Sequence, residues 1–260
     1  MSETILTEQT EDVITLRLNN PDALNAMDAD MAELLTARLH YAGTQARAIV
    51  LAGTPRAFCA GANLANRDMA AAGTDFDAGA RLESSFNPLM QAIKTCPIPI
   101  ISAVSGAAAG IGASIALACD MIVAGRNAYF LQAFRRIGLV PDGGSALLLA
   151  HTIGRVRAME LMLLGEKLPA ETALVWGLIN RVVDDADVNQ EAARLAASLA
   201  AGPTRALGLI RRAAWHALSG EWDAQLALER TLQREAGQCA DFQEGVTAFL
   251  EKRTAKFEGK

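Results

Sequence analysis

Apolar and polar positions switch period in a regular way along the chain. Residues 12–18 (DVITLRL) alternate with the period of a half-buried strand, and Asn20-Pro21 then marks a turn. Residues 28–42 place Met31, Leu34, Leu35 and Leu39 at helical spacing, with Asp28 positioned as the cap. RAIVLAG at 47–53 returns to strand, which completes a β-α-β unit. A second unit follows: a helix over 81–94, the apolar run PIPIISAVS at 97–105, a buried helix over 113–119, and strands at 121–124 and 128–131. Between the units, residues 67–79 (RDMAAAGTDFDAG) mix small and acidic residues and read as a surface loop or short irregular helix, with Asp75 and Asp77 as solvated charges. Helical spacing resumes at 155–164 and 170–176, and 179–183 makes a late strand. Beyond Asp187 the pattern is almost wholly helical, with Pro203 in a first turn and Gly220 between two helices. The pattern predicts an α/β core over residues 1–199 and a helical region over 200–260.

Two loops of small residues stand at the ends of the strand-like runs: AFCAGANL at 57–64 and SGAAAGIGASIALACD at 105–120. Small residues let a ligand approach the main chain. The helix after Gly112 would turn its free amides and the positive end of its dipole toward an anion in the loop. Such a site suits a developing enolate. IGLVPDGGS at 137–145 adds Asp142. On turn chemistry alone a Pro-Asp-Gly aspartate is a turn residue, and the neighbouring loops are what make it an acid/base candidate. Taken singly, Gly61, Gly110 and Gly112 would be packing points, and Cys59 a small buried apolar residue.

Composition narrows the field. The chain has 260 residues, 51% of them hydrophobic and 20% charged, which is ordinary for a globular protein. A net charge of −5 and a pI near 5.3 argue against broad binding to nucleic acid or an anionic membrane surface. Cys59, Cys96, Cys119 and Cys239 show no metal-binding spacing, and neither do His40, His151 and His216. The N-terminus lacks a basic segment followed by an apolar run, and no apolar stretch is long enough for a membrane span. The expectation is a cytoplasmic protein with no metal.

At its loops the sequence resembles the crotonase, or enoyl-CoA hydratase/isomerase, superfamily. Six segments match in the family's order: NNPDALNAMD at 19–28, AFCAGANL, SGAAAGIGAS, IGLVPDGGS, GRVRAMELMLLGEKLPAETALVWGLINRVV at 154–183, and AFLEKRTAKF at 248–257. The resemblance implies a spiral of β-β-α units with a C-terminal helical region, assembled as a homotrimer or hexamer. It also implies an acyl-CoA thioester as substrate, with coenzyme A part of that substrate and no separate cofactor. Residue by residue, it implies oxyanion donors at the Ala62 and Ile111 N–H groups, and CoA contacts at Ala23, Leu24, Ala60, Asn63, Leu64, Phe249 and Lys252. The last two lie near the adenine and phosphates, often those of a neighbouring subunit. Two positions depart from the family's pattern: Ile111 stands where Gly is frequent, and a β-branched residue resists positive φ, while Asn63 stands where Asp is usual.

The family's hydratases activate water with two glutamates, and those positions hold Ser114 and Phe134 here. Both are expected in the acyl pocket, where neither can serve as the base. Asp142 matches the acid/base position of several isomerases, where one carboxylate moves a proton from the α to the γ carbon of a 3-enoyl thioester. Ring-epoxide acyl-CoA isomerases share the VPDGG segment. A nucleophilic dehalogenase is disfavoured, because Asn87 stands where those enzymes carry His. The reading is an acyl-CoA double-bond isomerase. Its alternatives are a hydratase with nonstandard residues and a non-catalytic acyl-CoA-binding subunit. An apolar pocket would raise the Asp142 pKa, whereas Arg135 and Arg136 would lower it if they pointed inward.

Overall fold

The computed structural model describes residues 3–64, 77–218 and 220–260. The loop expected at 67–79 therefore lies mostly outside the described residues, Asp75 with it. Asp77 is described, and its carboxylate accepts the Gly79 N–H at 2.8 Å.

Two sheets and a set of helices are built by one repeated β-β-α unit. The chain opens with a hairpin, β1 (Ile5–Thr10) and β2 (Val13–Leu18), followed by α1 (Ala29–Gln45). The first repeat is β3 (Ala48–Ala52), β4 (Ala57–Cys59) and α2 (Asn87–Thr95), the last entered through a π-helical turn at Leu82–Phe86. The second is β5 (Ile100–Val104), β6 (Ala107–Ala109) and α3 (Ile111–Ala118). The third is β7 (Met121–Gly125), β8 (Tyr129–Leu131) and α4 (Ser145–Leu164), with a 3-10 turn, Ala133–Ile137, inserted before the helix. Then come β9 (Lys167–Pro169), α5 (Ala170–Val175) and β10 (Arg181–Val183). The helices α6 (Val188–Ala200), α7 (Thr204–Ala217), α8 (Trp222–Gly237) and α9 (Ala240–Glu251) complete the described chain.

In each repeat the first strand joins a six-stranded sheet ordered β1-β2-β3-β5-β7-β10. The second strand joins a four-stranded sheet ordered β4-β6-β8-β9. Successive repeats stack in parallel, β3 on β5 on β7 and β4 on β6 on β8. This is the spiral that the family resemblance implies. The runs AIVLA and IISAV are apolar at every position because both sheet faces are covered. Ile49, Leu51 and Ile100 face the main core, while Ala48, Val50 and Ile101 pack under Val188, Ala192 and Leu195 of α6.

The sequence pattern does not predict β1. It is an edge strand in which Ile5 alone is buried, so ILTEQT shows no apolar alternation. Nor does it predict that α4 starts at Ser145 and kinks at Gly154, where φ is 78° and the helical path breaks.

The helical tail is pinned to the core by Arg211 of α7. Its Nε donates to Asp120 at 2.6 Å, and its terminal nitrogens donate to the carbonyls of Ile93, at 2.8 Å, and Cys96 at the end of α2. The same Asp120 oxygen accepts the Ile100 N–H at 2.7 Å, so one ion pair ties α7, α2 and β5 together. Burial outweighs the guanidinium and holds the Asp120 carboxyl above its ordinary range. Losing one partner of a buried pair costs about 3–5 kcal/mol. The lower end applies here, because the Asp120 side chain keeps 23% of its surface. Arg211→Ala is expected to lower the free energy of urea unfolding accordingly, while removing the exposed, solvent-screened Arg253 pairs is expected to lower it far less. Equal losses from the two variants would contradict the clamp.

Candidate active site

The three parallel strands of the smaller sheet, β4, β6 and β8, end at their C-terminal edge on the walls of a cavity of about 280 Å³. β4 runs into Ala60–Leu64, β6 into Gly110 and Ile111, and β8 into the turn that carries Phe134 and then Asp142.

The segment before α1 sets the first wall. Asn25 is fully buried, and its side-chain amide donates to the carbonyls of Ala57 at 2.8 Å and Phe58 at 3.1 Å, while its oxygen accepts the Asn20 N–H at 2.8 Å. So anchored, the segment forms a parallel bridge between Met27 and Ala62. The Met27 N–H donates to Gly61 O, and the Asn63 N–H donates to Met27 O, both at 2.8 Å. Main-chain groups alternate along extended chain, so the Ala62 N–H points away from Met27. Among the described residues it has no backbone acceptor.

The second wall meets the first at two glycines. A Cβ on Gly61 would stand 3.1 Å from Ala109 O, and one on Gly112 would collide with Cys59 O. Gly110 takes φ 51° and caps α3. Ile111 then occupies the first helical position, where an N–H has no intrahelical acceptor, and it has no backbone acceptor among the described residues. The positive φ feared for Ile111 is carried by Gly110 instead, and Ile111 is not among the positive-φ residues. Ala62 and Ile111 both line the cavity, with the positive end of the α3 dipole behind the second donor.

Asp142 lines the same cavity. Its Oδ1 is buried and has no hydrogen-bond partner, and burial pushes the carboxyl up to about 6. Arg135 and Arg136 do not oppose this shift. They donate to the carbonyls of Leu164 and Gly165 at the C-terminus of α4, at 3.1 Å and at 3.0 and 2.7 Å. Asp28 also borders the cavity, but its carboxylate caps α1 by accepting the Met31 N–H at 2.9 Å.

Other expected positions fall in three groups. Ala60, Asn63, Leu64 and Phe134 line the cavity, with the Phe134 ring against Gly110. Ala23 and Leu24 sit just outside the cavity lining, where Leu24 O accepts the Ala60 N–H at 3.0 Å. Phe249 and Lys252 stand at the end of α9, away from the cavity wall of this chain, with Phe249 82% exposed. Ser114 stands behind the cavity wall: it is fully buried on α3, behind Gly143, and its hydroxyl donates to the main-chain oxygen of Asp142 at 2.9 Å. Asn25 and Ser145 also hold the site in place, through bonds to residues distant in sequence or to main chain, which leave no local sequence signal.

Two main-chain donors and one partnerless carboxylate around an apolar cavity can hold a negatively charged oxygen and move a proton beside it. Among the described residues no group of three His, Cys, Asp or Glu side chains could hold a metal, and no helix is long and apolar enough to cross a membrane. The four cysteines are unpaired and buried, and burial pushes the Cys59 thiol up to about 12.

Residues 8–260 match the enoyl-CoA hydratase/isomerase family, and the chain belongs to that family. It is 47% identical to a probable enoyl-CoA hydratase of Rhodobacter capsulatus, over 99% of this chain and 98% of that protein. It is 44% identical to the 1,2-epoxyphenylacetyl-CoA isomerase of Escherichia coli K12, over the whole of both chains. The crystal structure of an enoyl-CoA hydratase from Polaromonas sp. JS666 superposes with a TM-score of 0.90 at 34% identity, covering 98% of this chain and 99% of that one.

A carboxyl whose proton is held more tightly in the folded state contributes stability at low pH. That contribution is lost as pH rises from its ordinary value of 3.8 toward about 6. Asp142→Asn, which carries no charge, is therefore expected to melt close to wild type near about pH 4 and above it by about pH 7. Thermal melts across this range check the sign, and a gap that does not change with pH would contradict it.

Proposed function

We propose that this member of the family is an acyl-CoA isomerase that shifts a double bond through an enolate, with Asp142 as base and then acid. The observation that carries the reading is the buried, partnerless carboxylate oxygen of Asp142 beside two main-chain donors. Asp142 takes the α proton of a 3-enoyl thioester, and the electron pair moves onto the thioester oxygen. That oxygen accepts from the Ala62 and Ile111 N–H groups. As the carbonyl re-forms, Asp142 returns the proton to the γ carbon, leaving the 2-enoyl thioester. One such donor contributes roughly 2.7–4 kcal/mol in the transition state. A base near 6 is ionised at neutral pH yet still accepts a proton readily. Phe134 keeps the acyl side dry, which strengthens both donors. No cofactor enters beyond the coenzyme A of the substrate. Hydration is disfavoured because the two positions that would hold a water-activating pair carry a buried hydroxyl and a ring.

The 44% identical isomerase favours a second substrate for the same chemistry. In a ring-epoxidised phenylacetyl thioester the α carbon adjoins an epoxide carbon: as the enolate's carbonyl re-forms, a double bond forms from the α carbon to that ring carbon, its C–O bond breaks, and the oxygen, left on the neighbouring ring carbon, takes up the proton held by Asp142. One experiment separates the readings. The protein is incubated in heavy water with a 3-enoyl-CoA, a 2-enoyl-CoA or a ring-epoxidised phenylacetyl-CoA, and bond position and deuterium uptake are followed by NMR. Migration or epoxide opening, with little hydration, is expected, and Asp142→Asn is expected to lose it by at least about 100-fold. Hydration without migration would overturn the isomerase, and tight binding without exchange would indicate a non-catalytic subunit.

The exposed Val156, Val175, Phe249 and Leu250, 73–82% accessible in the single chain, support assembly as a homotrimer or hexamer. In such an assembly Phe249 and Lys252 would meet the CoA of a neighbouring copy. The cysteine usage suits a cytoplasmic setting. Lys252→Ala is expected to weaken CoA binding several-fold with turnover nearly unchanged. Light scattering and titration test this, and a fully active monomer with unaltered binding would refute it.

A further inference from the structure

The unusual feature of Asp142 is that its carboxylate makes no hydrogen bond at Oδ1 while its main-chain oxygen makes three. That oxygen accepts from Ser114 Oγ at 2.9 Å, Ser145 Oγ at 2.9 Å and the Ser145 N–H at 3.1 Å. Ser114 lies one turn beyond Ile111 on α3, so the helix that presents an oxyanion donor also grips the residue that carries the base. The grip depends on close approach. Gly143 and Gly144 turn the chain with φ of 60° and 74°, and a Cβ on Gly143 would stand 2.7 Å from both Ser114 Cβ and Ile111 Cδ1.

We propose that Ser114 and Ser145 are positioning residues for the reaction, fixing the main chain of Asp142 against α3 so that a carboxylate with no partner of its own keeps its place beside the oxyanion donors. The inference rests on Asp142 being the base. A side chain held by its own hydrogen bonds would be placed but less basic, because donors to a carboxylate favour its ionised form. Bonds to the carbonyl place the residue without that cost. Ser114 further requires a small side chain, since anything larger would push Gly143 off the helix and carry the base away from the cavity.

Ser114→Ala and Gly143→Ala, assayed by α-proton exchange in heavy water, are expected to lower kcat by on the order of 10- to 100-fold with KM within about twofold. Once the turn loosens, Asp142 gains water, so the acid limb of the pH profile should move down from about 6 toward the ordinary carboxylate value. If Ser114→Ala does not fold, Ser145→Ala removes a hydroxyl from the same carbonyl and should give the same pattern. A kcat at the wild-type level, a KM rising in step with the loss, or a lost kcat with an unmoved acid limb would each overturn the positioning role. Asp142→Asn run alongside separates the failures. An inactive Asn variant beside an unaffected Ser114→Ala sinks the positioning role alone, whereas an Asn variant as active as wild type sinks the base and this inference with it.

Discussion

The site depends on how closely the end of β4 can lie against the end of β6. Gly61 and Gly110 face each other across that contact, and Gly112 lies flush on the carbonyl of Cys59. Gly61 at φ 109° and Gly110 at φ 51° adopt conformations that other residues resist. Their bends turn the next N–H in each strand toward one cavity. The residues that carry those donors, Ala62 and Ile111, offer main chain to the cavity, so the donors depend on the glycine bends rather than on side-chain chemistry. A Cβ at Gly112 would lift α3 off β4 and part the two donors even though neither had been changed.

The repeat explains why the donors come as a pair and the carboxylate comes alone. Stacking β4, β6 and β8 in parallel brings three strand ends to one edge of the sheet, and the first two leave it in the same manner, one main-chain donor each. The third leaves by a longer path, through the 3-10 turn Ala133–Ile137 and a glycine-rich turn before α4. That detour departs from the repeat and brings both Phe134 and Asp142 to the cavity. The regular part of the spiral thus supplies fixed dipoles, which need no rearrangement as charge develops. The irregular part supplies the groups that set which chemistry the dipoles serve.

Periodicity was informative where burial was one-sided or complete over a long run. β2, α1, β3 and β5 follow from their apolar spacing, and parallel pairing of β2 with β3 follows from the helix between them. It failed where burial carried no pattern. β1 fully buries Ile5, half-buries Leu6 and Thr7, and leaves the rest exposed. α3 is buried on nearly every side, so its sequence cannot say which carbonyl the Ser114 hydroxyl meets, and the structure turns it to that of Asp142. Asn25 reads as a turn residue, and it is one, at φ 56°. Its second task, bonding two carbonyls of β4 and its neighbourhood, joins positions more than thirty residues apart and leaves no local trace. Ile111 avoids the positive φ that a β-branched residue resists, because Gly110 takes it one residue earlier.

If Asp142 is the base, as proposed, its place in an apolar wall sets two opposed demands. To hold a proton well above the usual carboxylate range it must lose water and avoid donors, but a side chain with neither is free to turn away from its substrate. The structure meets the demands at different atoms. Desolvation acts on the carboxylate, whose Oδ1 has no partner, and order is imposed on the carbonyl one residue-length away, which has three. The nearby cations are handled in the same spirit. Arg135 and Arg136 follow Phe134 directly, but their guanidinium groups are held by the carbonyls that end α4, where the negative end of the helix dipole favours them. A charge that would have returned Asp142 to its ordinary acidity caps a helix instead, and the carboxylate keeps the raised proton affinity that the proposed α-proton transfer would use.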